Sequence, residues 1–512
     1  MGTSRRRFLA TGLGAIAYGA VRSAGAAEDR PTPAARRNVL FVAVDDLRPQ
    51  LGCYGHTRMH TPNIDALAAR GTLFAKAYCQ QAVCNPSRAS LMTGVRPDTT
   101  RVYDLQTHFR LHLPDAVTLP QHFRRHGYES RGFSKIYHGS LDDPQSWSRP
   151  HWRPRGPAYG SPETLAKLQA EREALRAKGR KRATTVLKAD EKTGTRLKLT
   201  RPAFRVRGPS WEAPDVPDNA LPDGKTTDEV IRVMRECKDR PFFLAAGFIK
   251  PHLPFVAPAK YFDLYPEAEI TLADNPFPPE DCPSIALHNS GELRNYSDIP
   301  RKGPISEEKA LELIRAYYAA TSYIDAQVGR LLDELDRLGL REKTVVILWG
   351  DHGWQLGEHG LWCKHTNFET SAHVPLICSA PGQKRPGAVC DALTEFVDIY
   401  PSLCELCGLP VPGHLEGDSF APLLDNPDQP WKTAAFSQYP RGSNMGYSIR
   451  TDRYRYTEWG VLGQTPVARE LYDHSKDPNE NVNLADRPAF ADRVERRRRQ
   501  LHAGWQQARP PG

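Results

Sequence analysis

Three short apolar runs, each followed by charged or histidine residues, constrain the fold of this chain more than any other feature. They are residues 38–44 (NVLFVAV), 241–248 (PFFLAAGF) and 344–350 (TVVILWG). Continuous apolar runs of this length are typical of strands that are buried on both faces of a parallel sheet. Segments such as 306–339, between the second and third runs, have a helical pattern. We therefore predict an α/β fold, with a mostly parallel sheet flanked by helices.

The residues that follow these runs predict a site at one edge of the sheet. Asp45-Asp46 follow the first run, Lys250-Pro251-His252 the second and Asp351-His352 the third. In open α/β sheets, ligands bind at the carboxyl ends of the strands, so we expect these residues to converge on one pocket. Carboxylate oxygens suit a hard cation such as Ca²⁺. An aspartate after a strand can also cap the following helix, and this alternative stays open.

A second group of candidate residues is cationic or can become so: Arg88, Lys135, His138, His252 and Lys364. Each of them alone is more often a surface charge than a ligand. Together beside a metal, they would suit an anionic tetrahedral group, whose oxygens must be neutralised during transfer. The pattern predicts sulfuryl or phosphoryl transfer without choosing between them.

The segment 80–94 (QQAVCNPSRASLMTG) favours one of these reactions. Its core, Cys84-Asn85-Pro86-Ser87-Arg88, resembles the signature of the type I sulfatases, in which this cysteine is oxidised after translation to formylglycine (3-oxoalanine). The resemblance runs over most of the chain and includes NVLFVAVDDLRPQLGCYG and GDHGWQLGEHGLWCKHTNFE. Within that family the chain is most similar to the iduronate-2-sulfatase subgroup. The segments KPHLPF and MGYSIRTDRYRY and the pair Asp351-His352 support this placement.

The resemblance implies an alkaline-phosphatase-like fold in two parts. We expect a catalytic domain over residues 36–428 and a smaller C-terminal α+β subdomain, with an antiparallel sheet, over 429–512. The Pro/Asp/Asn-rich stretch near 425–432 is typical of a boundary.

The resemblance also implies the roles of the site residues. Ca²⁺ would be bound by Asp45, Asp46, Asp351, His352 and the modified residue 84. Arg88 would hold the modified residue, and His138 would act as a base toward it. Lys135, His252 and Lys364 would bind the sulfate. His252 would donate a proton to the leaving alcohol, with Lys364 as the rival donor.

The substrate implied by the resemblance is a sulfated oligo- or polysaccharide, such as a glycosaminoglycan, with a 2-O-sulfate on its non-reducing-end uronate. Lys364 and His365 are candidates for binding the uronate carboxylate, and Trp354 for lining the sugar face. Members of the subgroup often have Tyr where His365 stands, so this position bears on substrate preference. A formylglycine-generating maturation enzyme is an expected partner, and Pro86 and Arg88 belong to the sequence it recognises.

Two other functions remain open at this stage. One is a phosphonate monoester or phosphodiester hydrolase of the same superfamily. The other is a non-catalytic, exported polyanion-binding protein that uses the charged excursion 150–215 and Arg496–Arg499. We interpret both basic segments as solvated surface, and because no recognition motif accompanies them we expect no nucleic-acid partner.

Residues 1–26 are predicted to be a twin-arginine signal peptide. Ser4–Leu9 (SRRRFL) is followed by a weakly apolar run and then by Ala24-Gly25-Ala26, a cleavage site of small residues. The run is too short to span a membrane. We therefore expect export by the twin-arginine machinery to the periplasm or the cell exterior, and no transmembrane segment. Removing four arginines with this segment lowers the formal net charge from +9 to +5, which suits an anionic substrate.

The ten cysteines do not form a disulfide scaffold in a chain of this length. Cys404 and Cys407 have redox spacing, but they lie in an apolar run, and a buried helix face is the favoured interpretation. Pairing between Cys53 and Cys79 after export stays open.

Overall fold

The computed structural model describes residues 36–177, 183–186, 198–201 and 206–511. The described residues from Arg36 onward fall in a single compact unit. The proposed division at residues 428 and 429 therefore stays a prediction. The signal segment 1–26 and, within the charged excursion 150–215, residues 178–182, 187–197 and 202–205 lie outside the described residues.

A seven-stranded sheet forms the centre of the fold. Its strands are β1 (Asn38–Val44), β2 (Thr72–Phe74), β3 (Glu129–Ser134), β4 (Phe242–Phe248), β5 (Thr344–Gly350), β6 (Leu376–Ser379) and β7 (Ala388–Cys390). They lie in the order β7-β2-β6-β5-β1-β4-β3. β6 pairs antiparallel with both of its neighbours, and the other pairings are parallel. The predicted mostly parallel sheet is confirmed.

Both faces of this sheet are covered, which explains the continuous apolar runs. Leu40, Val42 and Val44 of β1 belong to one hydrophobic core, while Val39 and Phe41 belong to the core on the opposite face. Alternate residues of a strand point to opposite faces, so a strand between two cores must be apolar at every position.

The longer helices of the described chain are α1 (Pro62–Arg70), α2 (Cys84–Thr93), α3 (Leu119–Arg125), α4 (Pro162–Ala177), α5 (Pro222–Cys237), α6 (Glu307–Arg337), α7 (Ile399–Leu406) and α8 (Ala491–Ala503). The helix predicted over 306–339 is α6, and the Ser306 side chain caps it by accepting a hydrogen bond from the Lys309 N–H at 3.3 Å. Near its middle, the Tyr317 hydroxyl donates to the Asp46 carbonyl at 2.8 Å. The longest helix thus holds the loop that follows β1.

Short elements connect these layers. The short strands are Ala77–Tyr78, Ala183–Val186, Lys198–Arg201, Trp211–Glu212, Phe255–Val256, Gln355–Leu356, Trp362–Cys363, His373–Val374 and Thr394–Glu395. The short helices are Pro97–Thr100, Ala259–Phe262, Glu369–Ala372 and Ala421–Asp425. Among the described residues, no helix combines the length and the apolar composition that a bilayer crossing needs.

The C-terminal part carries the predicted antiparallel sheet. Its strands are β8 (Ala434–Arg441), β9 (Asn444–Thr451), β10 (Tyr454–Gly460) and β11 (Ala468–Asp473), paired in chain order. Val494 and Leu501 of α8 pack with Ile449 and Tyr456 of the sheet. Arg496 and Arg499 of α8 are exposed, so this part of the helix forms a basic surface.

Buried ion pairs join the C-terminal sheet to the larger part. Glu395 accepts two hydrogen bonds from the Arg96 guanidinium, both 2.7 Å long, and one from Lys432 at 2.9 Å. The Glu395 carboxylate also accepts the Phe436 N–H of β8 at 2.9 Å. A buried charge is costly unless an opposite charge or a hydrogen-bond donor lies beside it. Because Glu395 also binds the Phe436 N–H, these pairs constrain the position of β8.

The cysteine predictions can now be compared with the fold. Cys404 lies within α7 and Cys407 directly follows it; both are buried and free, as a helix face packed into the core requires. Cys53 and Cys79 are also free, so no disulfide joins them in this structure.

Candidate active site

The carboxyl ends of β1 and β5 bring the predicted acidic residues together. Asp45, Asp46 and Asp351 are each fully buried, and His352 lies beside them. The Asp46 N–H donates to Asp351 Oδ1 at 3.0 Å, and His352 Nε2 lies 3.3 Å from Asp46 Oδ1. Asp46 has φ = 61°, a left-handed conformation that Asp tolerates better than most residues. This turn allows both aspartates to face the same point.

Cys84 is the first residue of α2, and its side chain faces the same cluster. Its Sγ lies 3.3 Å from His352 Nε2. The Ser87 hydroxyl, one turn later, donates to the Asp351 carbonyl at 2.5 Å and joins α2 to the end of β5. Burial, with the nearby charge of Asp45, raises the pKa of the Cys84 thiol well above its usual value. An unmodified thiol here stays protonated and is a poor nucleophile.

Arg88 lies one turn along α2 and is completely buried. Its Nε donates to Asp351 Oδ2 at 2.8 Å and its Nη2 to Asp45 Oδ1 at 3.0 Å. Its Nη1 donates to the carbonyls of Lys135 and Ile136. The guanidinium therefore connects the ends of three strands, beneath the Cys84 position.

Lys135 and His138 follow β3 and approach the site from the other side. The Lys135 ammonium pairs with Asp45 Oδ2. Although burial opposes it, the positive charges of Lys135 and Arg88 hold the pKa of Asp45 well below its usual range. Gly247 of β4 allows this approach, because a Cβ there would lie 2.4 Å from the Lys135 backbone.

His138 is a partly buried histidine with a free nitrogen. Its Nδ1 has no hydrogen-bond partner among the described residues. Burial and the charge of Lys135 lower the pKa of His138 to about 3, so the imidazole is neutral at physiological pH. A neutral imidazole has a lone pair that can accept a proton, but a pKa this far below physiological pH makes it a weak base, so its role as a base stays a prediction.

His252 lies in the loop after β4, which its neighbour Lys250 holds in place. Lys250 Nζ donates to the carbonyls of His252 and Pro254, each at 2.6 Å, and the Lys250 N–H donates to Asp223 Oδ2 at 3.1 Å. His252 Nδ1 lies 2.6 Å from the Leu253 carbonyl, which leaves Nε2 pointing to the site. That Nε2 lies 3.9 Å from Asp46 Oδ2.

Lys364 is the third cation at the acidic cluster. Its Nζ lies 3.0 Å from both carboxylate oxygens of Asp46 and 4.7 Å from the centre of the Trp354 ring. Trp354 is only 1% exposed, because it packs into the core beneath Lys364. The expectation that Trp354 lines the sugar face is therefore wrong; its ring supports the lysine instead.

Glu292 is a site residue that the sequence analysis missed. Its carboxylate lies 2.9 Å from Lys364 Nζ, 3.2 Å from His252 Nε2 and 3.1 Å from His365 Nε2. Burial opposes ionisation, but Lys364 and His252 hold the pKa of Glu292 well below its usual range. An internal anion therefore lies among the cations predicted to bind sulfate.

His365 connects the site to the C-terminal sheet. Its Nδ1 lies 2.9 Å from the Tyr439 hydroxyl of β8, and the Arg441 guanidinium donates to the His365 carbonyl. Neither Tyr439 nor Arg441 was a candidate from sequence. Both lie in β8, and only the packing of this strand against the larger part of the molecule shows that one end of it reaches the site.

The donor set fits a hard divalent cation. Ligand atoms of Asp45, Asp351, His352 and Cys84 lie within 4.8 Å of one another, and Asp45, Asp46, Cys84 and His252 form an overlapping group. Three buried carboxylates at one point need nearby positive charge, and carboxylate oxygens are the ligands that Ca²⁺ prefers. All the predicted metal ligands are thus brought together.

Comparison with known proteins agrees with this geometry. Residues 37–409 match the family model described as sulfatase, and residues 357–507 match one described as N-sulphoglucosamine sulphohydrolase, C-terminal. The chain is 34% identical to iduronate 2-sulfatase of Mus musculus and 35% identical to that of Homo sapiens. Each match covers 87% of this chain and 90% of the relative.

Solved structures share the fold. One is the phosphonate monoester hydrolase of Agrobacterium radiobacter, with a TM-score of 0.70, 24% identity and coverage of 92% of this chain and 96% of that one. Another is described as a 2-O GAG sulfatase, with a TM-score of 0.67, 23% identity and coverage of 92% of both chains. At these identities the likeness concerns the fold alone.

Proposed function

Because the chain belongs to the sulfatase family and is a sulfuric ester hydrolase, we propose that it removes the 2-O-sulfate from a non-reducing-end uronate of a sulfated polysaccharide. The iduronate 2-sulfatases of mouse and human, 34% and 35% identical over most of both chains, support this substrate. The observation that carries the proposal is the position of Cys84, at the start of a buried helix and 3.3 Å from His352, beside three buried aspartates.

The proposal includes conversion of Cys84 to formylglycine and a bound Ca²⁺. The hydrated aldehyde would supply the oxygen nucleophile toward sulfur. Ca²⁺, held by Asp45, Asp46, Asp351, His352 and the modified residue, would supply positive charge for the sulfate oxygens. The raised pKa of the Cys84 thiol supports the need for the modification, because an unmodified side chain would be a weak nucleophile.

The remaining residues bind the sulfate and move protons. Lys135 and Lys364 flank the aspartates and would neutralise oxygens of the sulfate. His252, held by Lys250 through the loop carbonyl, would donate a proton from Nε2 to the leaving sugar alcohol. His138, neutral and with a free Nδ1, would accept a proton from the modified residue. Arg88, which binds Asp45 and Asp351, would hold these aspartates in position relative to residue 84.

Recognition of the uronate carboxylate is proposed for Lys364 and His365. Both residues contact Glu292, at 2.9 and 3.1 Å. When a carboxylated sugar binds, Lys364 and His365 would contact the sugar carboxylate in place of, or together with, the Glu292 carboxylate. The position of His365, between Glu292 and Tyr439, supports a polar contact at the sugar.

Mass spectrometry and one pair of variants test the proposal. In protein from its native host, the tryptic peptide Ala77–Arg88 should have the mass expected when the CH₂–SH of residue 84 becomes CHO. Cys84→Ala should abolish sulfate release from uronate 2-sulfates. Cys79→Ala is the matched control, because Cys79 is also buried and lies in the same peptide but outside the cluster. Activity retained by Cys84→Ala would refute the mechanism.

A substrate panel separates this function from the alternatives. The modified enzyme should release sulfate from uronate 2-sulfates faster than from 4- or 6-sulfated sugars, and faster than it releases phosphate or phosphonate from the matching esters. Faster phosphoester turnover would favour the hydrolase activity named for the phosphonate-cleaving structural relative.

Export remains part of the proposal. The twin-arginine pattern at Arg5-Arg6-Arg7 supports transport of the folded enzyme to the periplasm or beyond. Replacing these three arginines by lysine should retain the protein in the cytosolic fraction. Unchanged fractionation would exclude this route.

A further inference from the structure

The cavity above the candidate active site continues onto the charged excursion. It has a volume of about 760 Å³, within the range of pockets that enclose whole ligands. Lys135, His252 and Glu292 line one part of it. Helix α4 and the segment 206–208 line another part. A substrate whose sulfate lies at the catalytic residues can therefore extend through the same cavity to helix α4 and the segment 206–208.

Helix α4 is firmly anchored at its N-terminus. The Ser161 hydroxyl accepts the Thr164 N–H at 3.2 Å and donates to Glu212 Oε1 at 2.6 Å. The Gly160 N–H donates to Glu212 Oε2 at 2.6 Å, and Leu168 is buried in the main core. The N-terminal half of the helix is therefore held against the core beside the cavity.

One face of α4 presents two arginines to the cavity. Leu168, Arg172 and Arg176 all line it, and residues four apart lie on the same face of a helix. Leu168 anchors this face, while Arg172 and Arg176 are exposed at the cavity rim. Arg207 also lines the cavity. Three arginines thus line this one space.

Cationic side chains outnumber carboxylates in the cavity lining, although Lys135 is already paired with Asp45 behind it. Its lysines and arginines are Lys135, Arg172, Arg176, Arg207 and Lys250, whereas Glu292 is its one carboxylate among the described residues. Glu292 is already paired with Lys364 and His252. On α4 itself, Glu171 and Glu173 are exposed and do not line the cavity. The rim formed by α4 is therefore electropositive toward its interior.

Building on the proposed function, we propose that Arg172, Arg176 and Arg207 form a second anion subsite. It binds a sulfate or carboxylate on the sugar that follows the one carrying the scissile sulfate. Guanidinium groups suit both anions, because their parallel N–H groups match two oxygens at once. The substrate class is then an oligosaccharide with anionic groups on consecutive sugars, rather than a monosaccharide or a small aryl sulfate.

The test compares defined substrates on the full chain, with Cys84 conversion verified by mass. The substrates are an aryl sulfate and three disaccharides with a 2-O-sulfated uronate at the non-reducing end. The second sugar of each disaccharide is neutral, carboxylated or sulfated. The variants are the double variant Arg172→Ala/Arg176→Ala and its lysine counterpart. Lys167→Ala is the matched control, because it removes a charge from the same helix but outside the cavity lining.

We expect the double alanine variant to lose about tenfold or more in kcat/KM on the disaccharide with the preferred anion. Its kcat/KM on the neutral disaccharide and on the aryl sulfate should be unchanged. The variant Arg172→Lys/Arg176→Lys should keep part of the higher kcat/KM on the anionic disaccharide. In the wild type, added salt should reduce the difference in kcat/KM between the anionic and neutral disaccharides. Comparison of the carboxylated and sulfated disaccharides shows which anion the subsite prefers.

Two results would overturn the subsite. One is wild-type kcat/KM that does not depend on the second anion, and the other is an equal loss on every substrate in the double variant. Failure of the proposed function looks different: the wild type would cleave the aryl sulfate but none of the three uronate 2-sulfates.

Discussion

Glu470 should make the stability of this protein decrease as the pH rises toward neutrality. It lies in β11 and is 2% exposed. Its carboxyl group accepts hydrogen bonds from the Trp459 indole at 2.8 Å and from the Tyr472 hydroxyl at 2.9 Å. Burial outweighs these bonds and raises the pKa of Glu470 from 4.5 to about 7. No cation hydrogen-bonds to this carboxyl group within the described residues.

The sign of the effect follows from proton binding. Between pH 4.5 and about 7 the folded protein holds a proton on Glu470 that the unfolded chain has released. The free energy of unfolding therefore falls with rising pH across this window and is independent of this group above it. The gap between the two pKa values corresponds to about 3 kcal/mol.

The substitution Glu470→Gln removes the ionisable carboxyl group and keeps the size and shape of the side chain. The variant should be more stable than the wild type at pH 8, by up to about 3 kcal/mol, and should lose this advantage near pH 4.5. Urea unfolding followed by tryptophan fluorescence between pH 4.5 and 8.5 measures the difference. The exposed Glu405→Gln is the control and should follow the wild type. Parallel pH profiles for wild type and Glu470→Gln would refute the reasoning.

Three further predictions concern the site. Chelation of divalent cations should abolish sulfate release and lower the Tm, because the buried aspartates lose a counter-charge, and added Ca²⁺ should restore both; activity that persists in chelator would contradict this. Glu292→Gln should lower the inhibition constant of inorganic sulfate by about tenfold, because Lys364 and His252 lose a competing carboxylate; an unchanged constant in competition assays would exclude this role. Lys250→Met should cost about 2 kcal/mol in urea unfolding and lower kcat, because the carbonyls of His252 and Pro254 lose their donor; unchanged kcat would show that the loop keeps its position without Lys250.

Much of the fold and of the candidate site could be predicted from the sequence because the signals are local. The runs at 38–44 and 344–350 match β1 and β5 residue for residue, since a strand between two cores must be apolar throughout. Parallel neighbours end at the same edge, so Asp45, Asp46, Asp351 and His352 had to lie near each other. The Cys84 segment is a continuous motif and needed no tertiary information.

The residues that the sequence analysis missed come from segments without regular periodicity or from distant packing. Glu292 lies in an irregular loop, and nothing local distinguishes it from a surface glutamate. Its position among Lys364, His252 and His365 depends on how that loop folds over the strand ends. Tyr439 reaches His365 only because β8 packs against the larger part of the molecule.

Tertiary packing corrected one interpretation and added a finding to another. Trp354 sits beside the metal candidates in sequence, yet its ring is buried under Lys364, because the chain turns it into the core. Helix α4 is largely exposed, as its charged composition predicts, while Leu168 packs into the core and Arg172 and Arg176 line the cavity. The sheet and the edge at which the candidate site lies follow from the sequence, because each depends on residues that are neighbours in the chain. Tertiary packing sets which distant charges face that edge, because their positions depend on contacts between segments far apart in the chain.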